Sequence, residues 1–142
     1  MHNLIAHALI QNYKGEILII RKTKIKRGKT NFEGGRWDIP GGTVETMELP
    51  SEAVVRETKE EVGLNIKVSS IIYEKSNRDE GKQAVFTTLI YRCNTIDNSN
   101  IQLDLEEHDK YQWIKPEDVL TIEDDLLVSY MKELMNYLIT KK

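Results

Sequence analysis

Glu57, Glu60 and Glu61 fall within five residues, directly after Arg56 and downstream of the glycine pair Gly41–Gly42. An α-helix turns about 100° per residue. With Glu57 as zero, Glu61 then lies near +40° and Glu60 near −60°, so the three carboxylates share about 100° of arc. Like charges at this spacing repel by about 0.2–0.5 kcal/mol on a solvated helix. One reading is an acidic surface stripe with Arg56 and Lys59 as partial counter-ions. The other places a hard divalent cation among the carboxylates. Mg²⁺ prefers oxygen ligands and bridges carboxylates to substrate phosphates. It also neutralises charge on a phosphoryl group and activates water.

The elements that must position these groups follow from periodicity and breakers. A helix is expected from Pro50 to Val62, closed by Gly63. On its wheel Val55, Thr58 and Val62 cluster near about 100–160° and Val54 near about 60°. A valine face is therefore expected to pack, leaving the carboxylates beside it toward a cleft. Leu4, Ala6, Ala8 and Ile10 alternate as in a strand, and Glu16–Lys22 reads as a second strand, together suggesting a hairpin through Asn12–Gly15. A Lys- and Gly-rich loop is expected from Thr23 to Gly35, then a short strand, Arg36–Ile39, that Pro40, Gly41 and Gly42 terminate. Asn65–Lys75 and Gln83–Cys93 are β-rich, with a loop between them. Tyr111–Ile114 reads as a strand, Lys115–Leu120 as a helical turn, and Asp124–Leu138 as an amphipathic helix with Leu127, Tyr130, Met131, Leu134 and Leu138 inward. The pattern implies an α/β single domain over residues 1–142, a mixed β-sheet between helices.

Composition narrows the function classes. Hydrophobic residues make up 39% and charged residues 30%, as in ordinary globular domains. The formal net charge of −3 offers no bulk attraction to nucleic acid or anionic membranes, so phosphate binding must be local. Cys93 stands alone, which excludes an internal disulfide and suggests a buried strand residue. The apolar run Leu4–Ile10 is too short for a signal peptide or a spanning helix, and a cytoplasmic protein is expected.

The stretch from Gly42 to Leu64 resembles the signature of the Nudix hydrolase family. That signature is Gly, five residues, Glu, seven residues, Arg-Glu, an apolar residue, any residue, Glu-Glu, any residue, Gly and an apolar residue. Gly42, Glu48, Arg56, Glu57, Glu60, Glu61, Gly63 and Leu64 match it, and Thr58 departs from the usual aliphatic type. The resemblance extends through "WDIPGG" and "EHDKYQW". It implies a Nudix-type α/β/α sandwich and hydrolysis of a nucleoside diphosphate linked to a further group. Glu57, Glu60 and Glu61 would then ligate Mg²⁺, with Mn²⁺ as a substitute, and the Gly41 carbonyl would add a backbone ligand. In parts of the family the carboxylate matching Glu57 instead orients or deprotonates water. Arg56 would hold Glu57 or Glu48, and Glu48 would reach the metal through water. Glu107, preferred over Glu106, either stands where a further carboxylate ligand is often drawn or is a solvated loop glutamate, and His108 either assists there or, as is commoner, lies at the surface. Met47 occupies a frequent glycine position, and Leu49 a frequent Ser/Thr cap position.

Arg21, Lys22, Lys24, Lys26, Arg27 and Lys29 fall within nine residues. They form either a solvated loop or a clamp on a polyphosphate, with Lys24, Lys26, Arg27 and Lys29 as its substrate-binding groups. Trp37 and Trp113 offer faces for a base, although core packing is their commoner use. The region after the box lacks the proline and tyrosine that mark the ADP-ribose and dinucleoside-polyphosphate branches. The expected substrate is therefore a nucleoside triphosphate, canonical or oxidised, with no membrane partner and no DNA-binding module. Alternatives are a non-catalytic nucleotide sensor, or a Nudix enzyme for nucleotide sugars, dinucleoside polyphosphates or capped RNA. The intact glutamates disfavour the sensor.

Overall fold

The computed structural model describes residues 1–97 and 100–140. The chain divides into two compact units. The first comprises Met1–Ile10 with Pro40–Gln102, the second Gln11–Ile39 with Leu103–Lys142. The architecture is α/β, with a mixed sheet and helices. Among the described residues no helix is long and apolar enough to cross a membrane.

In the first unit, β1 (His2–Ile10), β6 (Gly41–Thr43), β7 (Ile66–Asp79) and β8 (Ala84–Thr95) form a sheet in the order β6-β1-β8-β7. β1 runs parallel to β8 and antiparallel to β6, and β7 and β8 are antiparallel. Ala6–Ile10 are buried consecutively, the pattern of a strand covered on both faces. The helix α1 (Pro50–Val62) packs on all four strands.

Three local choices set α1. Pro50 supplies a pre-set φ at the first turn. The Glu52 carboxylate accepts the Leu49 N–H at 2.9 Å. Gly63 takes the left-handed conformation (φ 75°) and donates its N–H to the Lys59 carbonyl. Leu49 has no side-chain acceptor for the helix N-terminus, so only half of a capping box forms.

The inward face of α1 differs from the sequence expectation. Ala53, Val54, Thr58, Glu61 and Val62 are buried, whereas Val55 is 40% exposed. On the wheel those five span from about −40° to about +140°. The buried arc is thus rotated toward the carboxylates, and Glu61, near its centre, enters the core while Val55 leaves it.

The second unit holds an antiparallel sheet in the order β5-β2-β9, made of β2 (Ile17–Lys22), β5 (Trp37–Asp38) and β9 (His108–Ile114). β3 (Ile25–Lys26) and β4 (Lys29–Thr30) form a small hairpin. Ile17–Ile20, Ile39, Leu127, Val128, Met131, Leu134 and Met135 are buried here, each aliphatic side chain contributing about 1.5–3 kcal/mol. Helix α2 (Pro116–Val119) and helix α3 (Met131–Thr140) complete the unit.

Four expectations are corrected. β1 and β2 do not form a hairpin; each joins a different sheet, and one bridge, Gln11 to Ile17, spans their turn. The Asn12 side chain draws that turn tight by accepting the Lys14 and Glu16 N–H groups at 3.0 Å. The Thr23–Gly35 loop contains the β3–β4 hairpin, whose two tip residues, Arg27 and Gly28, both take positive φ, the backbone of a tight two-residue turn. Gly41 and Gly42 do not end a strand but begin β6. The helix expected over residues 124–138 starts only at Met131. Asp124–Leu126 is a 3₁₀ turn, and Leu127 bridges Trp37 while Val128 donates its N–H to the Trp37 carbonyl. Tertiary pairing there overrides helical periodicity.

Met47 adopts φ 67° and is exposed. A side chain in this region costs about 1–2 kcal/mol, and glycine's extra unfolded-state entropy offsets about 0.4–1 kcal/mol of any relief. Met47→Gly should therefore leave stability unchanged or raise it by up to about 1 kcal/mol. Met47→Val should lower it. Chemical denaturation of both variants checks the sign.

Candidate active site

The site in the first unit is assembled around Arg56. Its Nε donates to one Glu48 oxygen at 2.7 Å and its Nη2 to the other at 2.9 Å. Its Nη1 donates to Glu57 at 2.8 Å and reaches Glu60 at 3.4 Å, and Nη2 also meets the Thr43 carbonyl at 3.2 Å. Paired N–H donors on a carboxylate are stronger and more directional than a single contact. The hydrogen bond from Arg56, helped by the Glu45 backbone, holds the Glu48 carboxyl at about 2, far below the usual range. The same pairing raises the pKa of Arg56.

Glycine makes the close packing possible. A Cβ on Gly42 would lie 2.7 Å from the Glu57 carboxyl carbon. Gly41 has φ 156°, and a Cβ there would lie 2.4 Å from the Ala6 carbonyl oxygen and 2.5 Å from the His7 ring. The Gly41 N–H donates to Glu61 Oε1 at 3.0 Å. Glu61 is only 4% exposed, so its carboxylate is drawn from water onto the start of β6. Burial of that kind is costly without strong partners.

The donor set suits a hard cation. Glu57, Glu60 and Glu61 supply carboxylate oxygens, and Gly42 leaves space for Glu57 where any side chain would intrude. Among the described residues no three His, Cys, Asp or Glu side chains already converge as a cation cage. The hydrogen bonds give the reason: Arg56 turns Glu57 and Glu60 toward itself, while Gly41 holds Glu61.

The remaining expected residues lie in the second unit. Glu107 is paired with Lys26, and its carbonyl accepts the Thr23 N–H at 2.9 Å. Lys24, Arg27 and Lys29 are exposed around the β3–β4 hairpin. Arg21 makes a two-point contact with Asp109 at 2.8 and 3.0 Å, which ties β2 to β9. Trp37 is half-buried within β5. His108 is not a surface residue: it is 6% exposed, and burial pushes its pKa down to about 4. Its Nδ1 has no hydrogen-bond partner among the described residues. Cys93 is buried as expected, and desolvation raises its thiol to about 12, which leaves it unreactive. Sequence reasoning gave Asp38 no role and read Tyr130 only as part of an inward helical stripe. Asp38 is buried, and its carboxylate accepts the Tyr130 hydroxyl and the Ile39 N–H. The signal available was an acidic residue flanked by two large apolar ones, Trp37 and Ile39.

A family model described as the NUDIX domain matches residues 1–138. The chain belongs to the Nudix family. It is a Nudix hydrolase, acting on phosphoric anhydride bonds. It is 34% identical to the nucleoside triphosphatase NudI of Escherichia coli (strain K12 / DH10B) over 109 residues, 70% of this chain and 74% of that protein. A MutT-like protein of Streptomyces ambofaciens is 24% identical over 119 residues, 84% of this chain and 68% of that one. The crystal structure of the MutT protein from Methanosarcina mazei Go1 superposes with a TM-score of 0.79 at 25% identity, covering 99% of this chain and 96% of that one.

Two predictions follow from this geometry. Gly42→Ala should leave the fold intact but push the Glu57 carboxylate off its seat. Hydrolysis should then fall steeply while the circular dichroism spectrum and melting temperature stay near wild type; full activity would remove the steric role of Gly42. The second concerns His108, whose folded pKa of about 4 lies below its usual 6.5. The unfolded chain takes up the proton first, so the His108 contribution to stability should be lost as pH falls from about 6.5 to about 4. His108→Leu should flatten that decline, as read by denaturant titrations across pH.

Proposed function

We propose that this Nudix hydrolase is a Mg²⁺-dependent pyrophosphohydrolase that converts a nucleoside triphosphate, canonical or oxidised, to the monophosphate and pyrophosphate. The observation that carries the reading is the Arg56-centred clamp on Glu48 and Glu57, beside Glu61 seated on Gly41. Similarity to a nucleoside triphosphatase supports the choice of substrate.

In this reading Glu57, Glu60, Glu61 and the Gly41 carbonyl would hold Mg²⁺. When bound, the ion stabilises negative charge on the phosphoryl oxygens and on attacking water. The chain's own residues do the positioning. Arg56 fixes the Glu57 carboxylate, which orients water and takes its proton. The water oxygen bonds to phosphorus, and pyrophosphate leaves with the electron pair of the broken P–O bond. Little covalent chemistry falls to the protein, so orientation and electrostatics dominate. Glu48 keeps Arg56 in place and stays ionised at any working pH. In the second unit Lys24, Lys26, Arg27 and Lys29 offer cations suited to a polyphosphate, and Trp37 offers a face suited to a base. Residues 1–142 act as one domain.

Glu61→Gln tests the reading. The amide oxygen can still accept the Gly41 N–H, and a buried negative charge is removed, so the metal-free melting temperature should stay level or rise. Mn²⁺ affinity, read by electron paramagnetic resonance, should fall, and kcat should drop by orders of magnitude. Near wild-type turnover at low Mg²⁺ in this variant would defeat the ligand assignment. A panel of canonical and oxidised triphosphates, nucleotide sugars, dinucleoside polyphosphates and capped RNA decides the substrate. Release of pyrophosphate from triphosphates at the highest kcat/KM is the expected result; tight binding without turnover of any member would indicate a sensor.

A further inference from the structure

β7 is one edge of the four-stranded sheet, and among the described residues it pairs only with β8. Its first half is irregular, with register shifts between Val68 and Ser70 and between Ile71 and Tyr73. From Tyr73 to Asp79 the ladder runs without a break opposite Ile90 to Ala84. That stretch contains no proline. Its outer side offers regular backbone N–H and C=O groups, the feature that invites another strand.

Natural edges are blunted by bulges, prolines or repelling charges. The regular half of β7 carries charges of both signs instead. Glu74, Ser76 and Arg78 alternate along one face, and all three are exposed. Among the described residues Glu74 receives only a long hydrogen bond, 3.3 Å, from Ser76. Arg78 makes no side-chain ion pair or hydrogen bond among the described residues. Four residues of extended strand separate the two charges by about 13 Å, too far for them to meet within one chain.

A two-fold axis through Ser76 satisfies both. When two β7 edges run antiparallel with Ser76 opposite Ser76, Glu74 of each chain faces Arg78 of the other. Directly opposed residues lie about 4.5–5.5 Å apart, within ion-pair reach. Tyr73 then faces Asp79, and Lys75 faces Asn77. Registers centred on Glu74 or Arg78 set like charges together. A register joining Glu74 to Lys75 recruits a cation already engaged within its own chain.

We propose that the Tyr73–Asp79 edge is a homotypic interface where two copies of this chain pair antiparallel about Ser76. The contact is narrow beside the about 1,200–2,000 Å² of stable complexes, so it forms a concentration-dependent monomer–dimer equilibrium.

Sedimentation velocity of the full chain across the micromolar range tests this. The wild type should dimerise reversibly. E74R opposes arginine to arginine and R78E opposes glutamate to glutamate, so each should weaken association by about tenfold or more. Mixing E74R with R78E restores opposite charges at both contacts, and the dimer should return only in the mixture. Both positions are exposed, and circular dichroism verifies that each variant is folded. A wild type that stays monomeric throughout overturns the proposal. So do single variants that dimerise as tightly as the wild type, or a mixture that fails to associate.

Discussion

The first unit's chemistry depends on one guanidinium. Arg56 joins three pieces of chain: Thr43 at the end of β6, Glu48 in the loop before α1, and Glu57 and Glu60 on the helix itself. The planar fork of arginine serves this task, because two parallel donors fix Glu48 while a third is left for Glu57. A lysine would bring the charge without the geometry. The clamp has a consequence for the glutamates. Their mutual repulsion is balanced locally, so α1 holds three carboxylates within five residues and remains helical from Pro50 to Val62.

The glycine pair is the other half of the same device. Gly41 lies against Ala6 and His7 in β6–β1 pairing, at a distance no side chain allows. That approach lets its N–H reach Glu61, and Gly42 leaves the space that Glu57 fills. At Glu61 the helix departs from what packing alone would select. A buried carboxylate is a poor core residue, yet it sits at the centre of the packed arc of α1. Thr58, also fully buried, adds a hydroxyl without a hydrogen-bond partner among the described residues. A helix built for packing alone would carry aliphatic side chains at both positions, and α1 is held instead by Val54, Val62, Ala53 and its ends.

What the sequence revealed was mostly what is local. Pro50 and Gly63 delimit α1 because proline and glycine act on their own backbone, and the structure keeps those limits. Helical spacing placed Glu61 beside the core, although not in it, because a wheel gives angles and not the sheet's position. It put Val55 on the wrong side for the same reason. The failures share one cause. Residues 124–130 have helical periodicity, but Leu127 and Val128 pair with Trp37. β1 and β2 look like a hairpin, yet their partners are β8 and β9, far along the chain. His108 reads as a polar loop residue and is buried, because β9 pairs with β2.

The same division explains why the reaction class is easier to read than the substrate. The residues that carry the family resemblance are confined to one loop and one helix, and their spacing is a property of a continuous stretch, Gly42 to Leu64. Groups that would discriminate between nucleotides need not be neighbours in sequence. Asp38 meets Tyr130 across 92 residues, and Arg21 meets Asp109 across 88. Such pairs are created by strand pairing and helix placement, and no spacing rule along the chain anticipates them. Asp38 also shows how such a group is concealed: it stands between the apolar Trp37 and Ile39, and only its burial beside a tyrosine hydroxyl reveals a polar position held inside the fold. The motif that marks the family is therefore written locally, while pairs such as Asp38 with Tyr130 are written in long-range contacts.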